Sequence, residues 1–201
     1  RIGKRTFGPK DAFSLDGSTG EVIAGELAGS TPKMSKHFST LMKWADAKRR
    51  MKVRTNADTP ADSARARAFG AEGIGLTRTE HMFFEPDRIT NMRKMILATG
   101  RSEREKALKK LLPYQRKDFI GIFTAMKGLP VTVRLLDPPL HEFLPNEDSA
   151  VKEVAASLDV KPREVRRLVT ALHEANPMLG HRGCRLAVTY PEILRMQVRA
   201  I

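Results

Sequence analysis

Residues 70–84 read Gly-Ala-Glu-Gly-Ile-Gly-Leu-Thr-Arg-Thr-Glu-His-Met-Phe-Phe. Gly70 closes a preceding helix, and Ile74–Thr79 has the length and composition of a short buried strand. Ile74, Leu76 and Arg78 share one face by the two-residue period of a strand. A guanidinium therefore stands where a third apolar side chain is expected. An ion at the end of a buried strand needs a partner, because an unpaired buried charge is costly. The partner is either a protein carboxylate or an anionic ligand. Val131–Asp137 repeats the device, with Arg134 set inside an apolar run.

The flanking sequence supplies the rest of an α/β pattern. Met51–Asn56 reads as a strand, and Thr59-Pro60 opens a helix with an N-cap and a proline at the first helical position. That helix runs to Phe69 and stops at Gly70. Strand, helix and strand over residues 51–79 form a βα unit feeding a parallel strand. Three helices are predicted next, over Pro86–Ala98, Ser102–Leu112 and Tyr114–Lys127, before the third strand Val131–Asp137. Pro138 and Pro139 forbid its continuation. Helices follow at 147–158 and 162–174, then a turn over Asn176–Gly180 and a helix from Pro191. Toward the N-terminus, residues 12–25 read as a hairpin around Asp16–Gly20, too small to be stable alone. A connector over Gly25–Lys33 leads to a helix, Ser35–Met51, striped by Phe38, Leu41, Met42 and Ala45.

The 201 residues are 41% apolar, enough for a core, with 6% aromatics. No run is long and apolar enough to span a bilayer, and Arg1–Thr6 lacks the apolar segment of a signal peptide. The missing initial Met is expected of a piece of a longer protein. A single cysteine, Cys184, excludes an internal disulfide framework and fits a reducing, cytoplasmic setting. The net charge of +13 suits nucleic acid or anionic small molecules. The basic residues are interleaved with acids, without a nucleic-acid-binding motif, so small anions are the better match.

Three runs, Gly73–Phe84, Val133–Pro145 and Asn176–Arg185, with weaker support from Asp16–Val22, resemble the pyruvate phosphate dikinase family within the phosphoenolpyruvate-utilising enzymes. The resemblance spans nearly the whole chain. It implies an α/β fold: a partial (β/α)8 TIM barrel of about three strands with a helical insertion, preceded by the tail of a phosphohistidine swivelling domain. Residues 1–30 would be the carrier-domain remnant, 31–50 a linker helix, and 51–201 the N-terminal part of the phosphoenolpyruvate/pyruvate-binding barrel. The implied activity of the parent protein interconverts ATP, pyruvate and phosphate with AMP, phosphoenolpyruvate and pyrophosphate through a phosphohistidine. The parent would be a homodimer acting on phosphoenolpyruvate and pyruvate, with ATP and phosphate bound by the whole enzyme. The runners-up are phosphoenolpyruvate synthase and enzyme I of the phosphotransferase system, and, from another class, a basic binding or scaffold module.

In the resembling family, the arginines at the positions of Arg78 and Arg134 bind phosphoenolpyruvate and stabilise the phosphoryl group in transit. Two planar forks suit a phosphate and a carboxylate together. The residues alone leave open an ion pair with Glu80 or Asp137. Arg54, Asn56 and Arg182 are possible supports of the same site, or structural salt-bridge partners. The carrier histidine has its own motif, Gly-Gly-Met-Thr-Ser-His, absent here, so His81 is expected to orient a loop. His141 and His181 are expected to hydrogen-bond structurally, and His37 and His173 to lie on the surface. The family's proton-donor cysteine belongs to a later segment, so Cys184 is expected to be a small buried thiol. The ligands of the family's Mg²⁺ also lie in later segments. Glu80, Asp137 and Glu142 carry no metal motif, and no glycine-rich nucleotide loop is present. The isolated segment is therefore expected to be inactive.

Overall fold

The computed structural model describes residues 3–4, 6–29, 34–145, 147–158, 160–173, 176 and 178–201, and the chain divides into two units, Arg1–Arg50 and Met51–Ile201. The first holds an antiparallel hairpin, β1 (Phe13–Asp16) with β2 (Glu21–Ala24), in register from Phe13↔Ala24 to Asp16↔Glu21. The Asp16 carboxylate accepts the N–H groups of Ser18 at 2.8 Å and Thr19 at 3.2 Å, closing the turn. Those backbone bonds hold its carboxyl below the usual carboxylate range. Helix α1 (Lys36–Lys48) is N-capped by the Ser35 hydroxyl, 3.1 Å from Phe38 N. It ends three residues before the expected Met51 and buries no residue.

The second unit is built on three parallel strands, β3 (Thr55–Asn56), β4 (Ile74–Arg78) and β5 (Val131–Arg134), in that spatial order. Helix α2 (Pro60–Ala68) joins the first two. Thr59 caps it, and a left-handed Gly70 (φ +93°) ends it, with Gly70 N bonded to Arg67 O and Ala71 N to Ala66 O. Gly73 is required by a close approach: a Cβ there would lie 2.9 Å from Pro130 O. Thr77, on the opposite face from Arg78, is wholly buried, and its hydroxyl donates to Ala57 O at 2.9 Å. Both faces of β4 are thus covered, as in parallel sheets generally.

The ladder is shorter than expected at both edges. Met51–Arg54 lie outside β3, because Val53 O accepts from Glu72 N at 2.8 Å and Val53 N donates to the Glu72 carboxylate at 3.2 Å. β5 ends at Arg134, not Asp137, because Leu136 N turns to the Gln197 side-chain oxygen at 2.7 Å. A 3-10 turn, Thr79–Phe83, follows β4.

Helices α3 (Pro86–Leu97) and α4 (Arg101–Ala125) separate β4 from β5. The two helices expected over Ser102–Leu112 and Tyr114–Lys127 are one, with Pro113 inside it. Proline removes one backbone donor. Continuity is favoured by a single buried stripe, Ala107, Leu108, Leu111, Gln115, Phe119 and Ile122. A second 3-10 turn, Leu140–Phe143, leads to α5 (Asp148–Leu158) and α6 (Pro162–Leu172), which close a core around Phe83, Met92, Met95, Leu111, Phe143 and Val165. Helix α7 (Gly183–Thr189), which the sequence reading lacks, precedes α8 (Pro191–Ala200). Buried Arg104 and Glu192 pair at 2.8 Å between α4 and α8, with the guanidinium 4.1 Å from the centre of the Tyr190 ring.

Candidate functional site: an arginine pair at the end of the parallel strands

Arg78 is the last residue of β4 and Arg134 the last of β5, and the two are register partners. Partners in register on parallel neighbours project to the same side of the sheet. Both guanidinium groups therefore leave one rim, at the C-terminal ends of the strands. Thr79 locks the strand ends together: its hydroxyl donates to Arg134 O at 2.9 Å and accepts from the buried Gln197 amide at 3.0 Å.

Each arginine is held by carboxylates. Arg78 donates to Asp58 from its backbone N (2.7 Å), Nε (3.1 Å) and Nη2 (2.8 Å). His81 Nδ1 lies 2.7 Å from the same carboxylate. Asp58 follows β3 by two residues, so the clamp spans the mouths of neighbouring strands. Arg134 pairs with Glu80 and, through Nη1 at 3.2 Å, with Asp137. Arg182 joins this second group, its Nη2 2.6 Å from Asp137 Oδ2. Gly183 (φ +55°) admits that approach, since a Cβ there would lie 3.1 Å from Asp137 Oδ1.

The electrostatics match these contacts. Burial pushes the Asp58 carboxyl up, but the backbone and side-chain bonds from Arg78, its charge and the His81 bond outweigh it, so Asp58 sits below the usual carboxylate range. The Arg182 bond does the same for Asp137, against opposing burial and with added attraction from Arg182 and Arg134. Pairing does not enclose the two arginines. Their side chains remain 38% and 36% exposed, respectively, so each keeps a solvent-facing edge for a further anion. Glu80, by contrast, is buried, and its Oε2 has no hydrogen-bond partner among the described residues.

Of the residues expected at this site, Arg78, Arg134 and Arg182 are brought to one rim. Asn56 ends β3 with an exposed side chain, which makes no hydrogen bond to either cluster among the described residues. Arg54 precedes β3, and its Cβ is 3.4 Å from where a Gly75 Cβ would stand, beside the start of β4. Arg134 pairs with both of the carboxylates expected as alternatives, whereas Arg78 takes Asp58, which the sequence reading did not single out. What marks Asp58 is tertiary: it is an acid just beyond a strand that adjoins one ending in arginine, which shows only once β3 and β4 are paired. Cys184 is exposed rather than buried, because it faces outward in the first turn of α7 while Leu186 turns inward. His37 and His173 are exposed as expected.

The described residues do not fit Mg²⁺. Both Asp137 oxygens face guanidinium nitrogens, leaving only Glu80 Oε2 uncommitted in that cluster. No group of three or more His, Cys, Asp or Glu is placed to hold a metal among the described residues. Nor is any described helix long and apolar enough to cross a membrane.

Residues 32–201 match the model of the PEP-binding domain of PEP-utilising enzymes. The chain is 62% identical over 191 residues to the pyruvate, phosphate dikinase of Rhizobium meliloti, covering 95% of this chain and 21% of that protein. It is 53% identical over 200 residues to the Clostridium symbiosum enzyme of the same name, covering 100% of this chain and 23% of that protein. It is 56% identical over 202 residues to the chloroplastic pyruvate, phosphate dikinase 1 of Arabidopsis thaliana, covering 100% and 21%. The chain thus spans about a fifth of the length of these relatives. With the family model covering most of its residues and relatives above half identity along its length, the chain belongs to the PEP-utilising enzymes, as a portion whose residues 32–201 match their PEP-binding domain.

Proposed function

We propose that the rim formed by Arg78 and Arg134 binds phosphoenolpyruvate. The observation that carries this is the register pairing of the two arginines at the C-terminal ends of adjacent strands, each braced by carboxylates yet about one-third open. A braced guanidinium is already oriented and loses little freedom when a ligand arrives. Two such forks on one rim match a molecule carrying both a phosphate and a carboxylate. Fixed positive charge aimed at a transferring phosphoryl group is the main catalytic term such a site supplies. Arg182 strengthens it indirectly, by holding Asp137 against Arg134.

On this reading the parent protein is a pyruvate phosphate dikinase, interconverting ATP, pyruvate and phosphate with AMP, phosphoenolpyruvate and pyrophosphate. The names of relatives at 53–62% identity favour it over phosphoenolpyruvate synthase and phosphotransferase enzyme I. Residues 51–201 are then the opening part of a TIM barrel, 31–50 a linker helix and 1–30 the end of a phosphohistidine domain. The carrier histidine, the proton donor, the nucleotide site and the Mg²⁺ ligands come from outside this segment. The parent works as a cytoplasmic homodimer, and the isolated segment does not turn over.

The test is Arg134→Ala in the full-length enzyme. The pyruvate half-reaction is abolished while histidine phosphorylation by ATP stays intact. Loss of both partial reactions, or of neither, overturns the assignment.

A further inference from the structure

We infer that His81 is a ligand-contacting residue beside Arg78, presenting Nε2 to the phosphate of the bound anion; the inference rests on the reading that this rim binds phosphoenolpyruvate. Its Nδ1 lies 2.7 Å from Asp58 Oδ2, the oxygen that also accepts from Arg78 Nη2 at 2.8 Å. Imidazole and guanidinium therefore flank one atom and face the same rim. An ionised carboxylate only accepts, so Nδ1 is the protonated nitrogen of the ring. That leaves Nε2 as the free end, with no partner among the described residues and the side chain 45% exposed. Arg78 Nη1 likewise makes no hydrogen bond among the described residues, so each of the two side chains anchored on Asp58 keeps one nitrogen unengaged.

A phosphate oxygen placed there is bonded in either protonation state. A neutral ring accepts at Nε2 from P–OH, and a protonated ring donates Nε2–H to P–O⁻. No covalent bond forms, and no proton need leave the pair. The ring supplies one further directional contact beside that of Arg78, and Asp58 sets its orientation.

Two amides separate ligand contact from mere bracing of Asp58. In His81→Asn the amide reaches the Nδ1 position and can keep the Asp58 bond, but nothing occupies the Nε2 position. In His81→Gln the amide reaches the Nε2 position and gives up Asp58. Phosphoenolpyruvate is titrated calorimetrically into the full-length enzyme and both variants, with far-UV circular dichroism to compare their folds. His81→Asn is expected to weaken binding about tenfold, the scale of one hydrogen bond to a charged group. His81→Gln is expected to stay within about threefold of the wild type. Wild-type affinity in His81→Asn, or equal or greater loss in His81→Gln, overturns the inference. Arg134→Ala in the same titration separates the two readings. If Arg134→Ala binds normally, the phosphoenolpyruvate assignment itself fails. If it loses binding while His81→Asn does not, only the role of His81 falls.

Discussion

Replacing Asp58 by alanine removes the acceptor for four N–H donors at once: Arg78 N, Nε and Nη2, and His81 Nδ1. The carboxylate side chain is 10% exposed, whereas Arg78 and His81 are 38% and 45% exposed. The exposed ends turn to water when Asp58 is lost, so the ion-pair terms are worth only about 0–1 kcal/mol each. The backbone bond at the end of β4 is part-buried, and a hydrogen bond to a charged acceptor contributes about 1.5–3 kcal/mol. The expected loss for Asp58→Ala is therefore about 2–4 kcal/mol at neutral pH. Urea melts of the 201-residue chain should be followed by far-UV circular dichroism. The pH dependence has a definite sign. The folded carboxyl titrates below its ordinary 3.8, so its stabilisation is fully present above that value and fades as pH falls through the depressed one. The gap between wild type and variant should stay level from about pH 7 down to about pH 4 and narrow only below. A loss under about 0.5 kcal/mol, or a gap that narrows already between about pH 7 and pH 5, would refute the reasoning.

Glu192→Ala strands the buried Arg104 guanidinium between α4 and α8 and should cost about 3–5 kcal/mol; a loss below about 1 kcal/mol in the same melts would mean that the pair is solvated. Pro113→Ala restores a backbone donor inside α4 at an exposed position and should stabilise the chain by about 2 kcal/mol, net of the proline's stiffening of the unfolded chain. Destabilisation there would mean that the proline is itself part of the helix packing.

The parallel strands were legible because their signals are local. An apolar run ending in arginine, a Thr-Pro helix start and a Gly70 stop each act within a few residues. The same locality explains the errors. Pro113 reads as a break, but the buried stripe from Ala107 to Ile122 carries α4 through it. The end of β5 is set by Gln197, 61 residues from Leu136, which no window of sequence reveals. At the site, Arg78 and Arg134 were visible as charges in apolar runs. Asp58 was not, because nothing in its own neighbourhood marks it until β3 and β4 are laid side by side. The burial of Cys184 was misjudged for a related reason: exposure depends on which way the unforeseen helix α7 turns.

The central claim is that two neighbouring guanidinium groups grip one doubly anionic ligand. Its most direct test is phenylglyoxal labelling of the full-length enzyme with and without phosphoenolpyruvate, read residue by residue by peptide mass mapping. Phosphoenolpyruvate should shield Arg78 and Arg134 while leaving exposed arginines such as Arg167 and Arg195 labelled as before. Unchanged labelling at Arg78 and Arg134, or equal protection of every arginine, would contradict it.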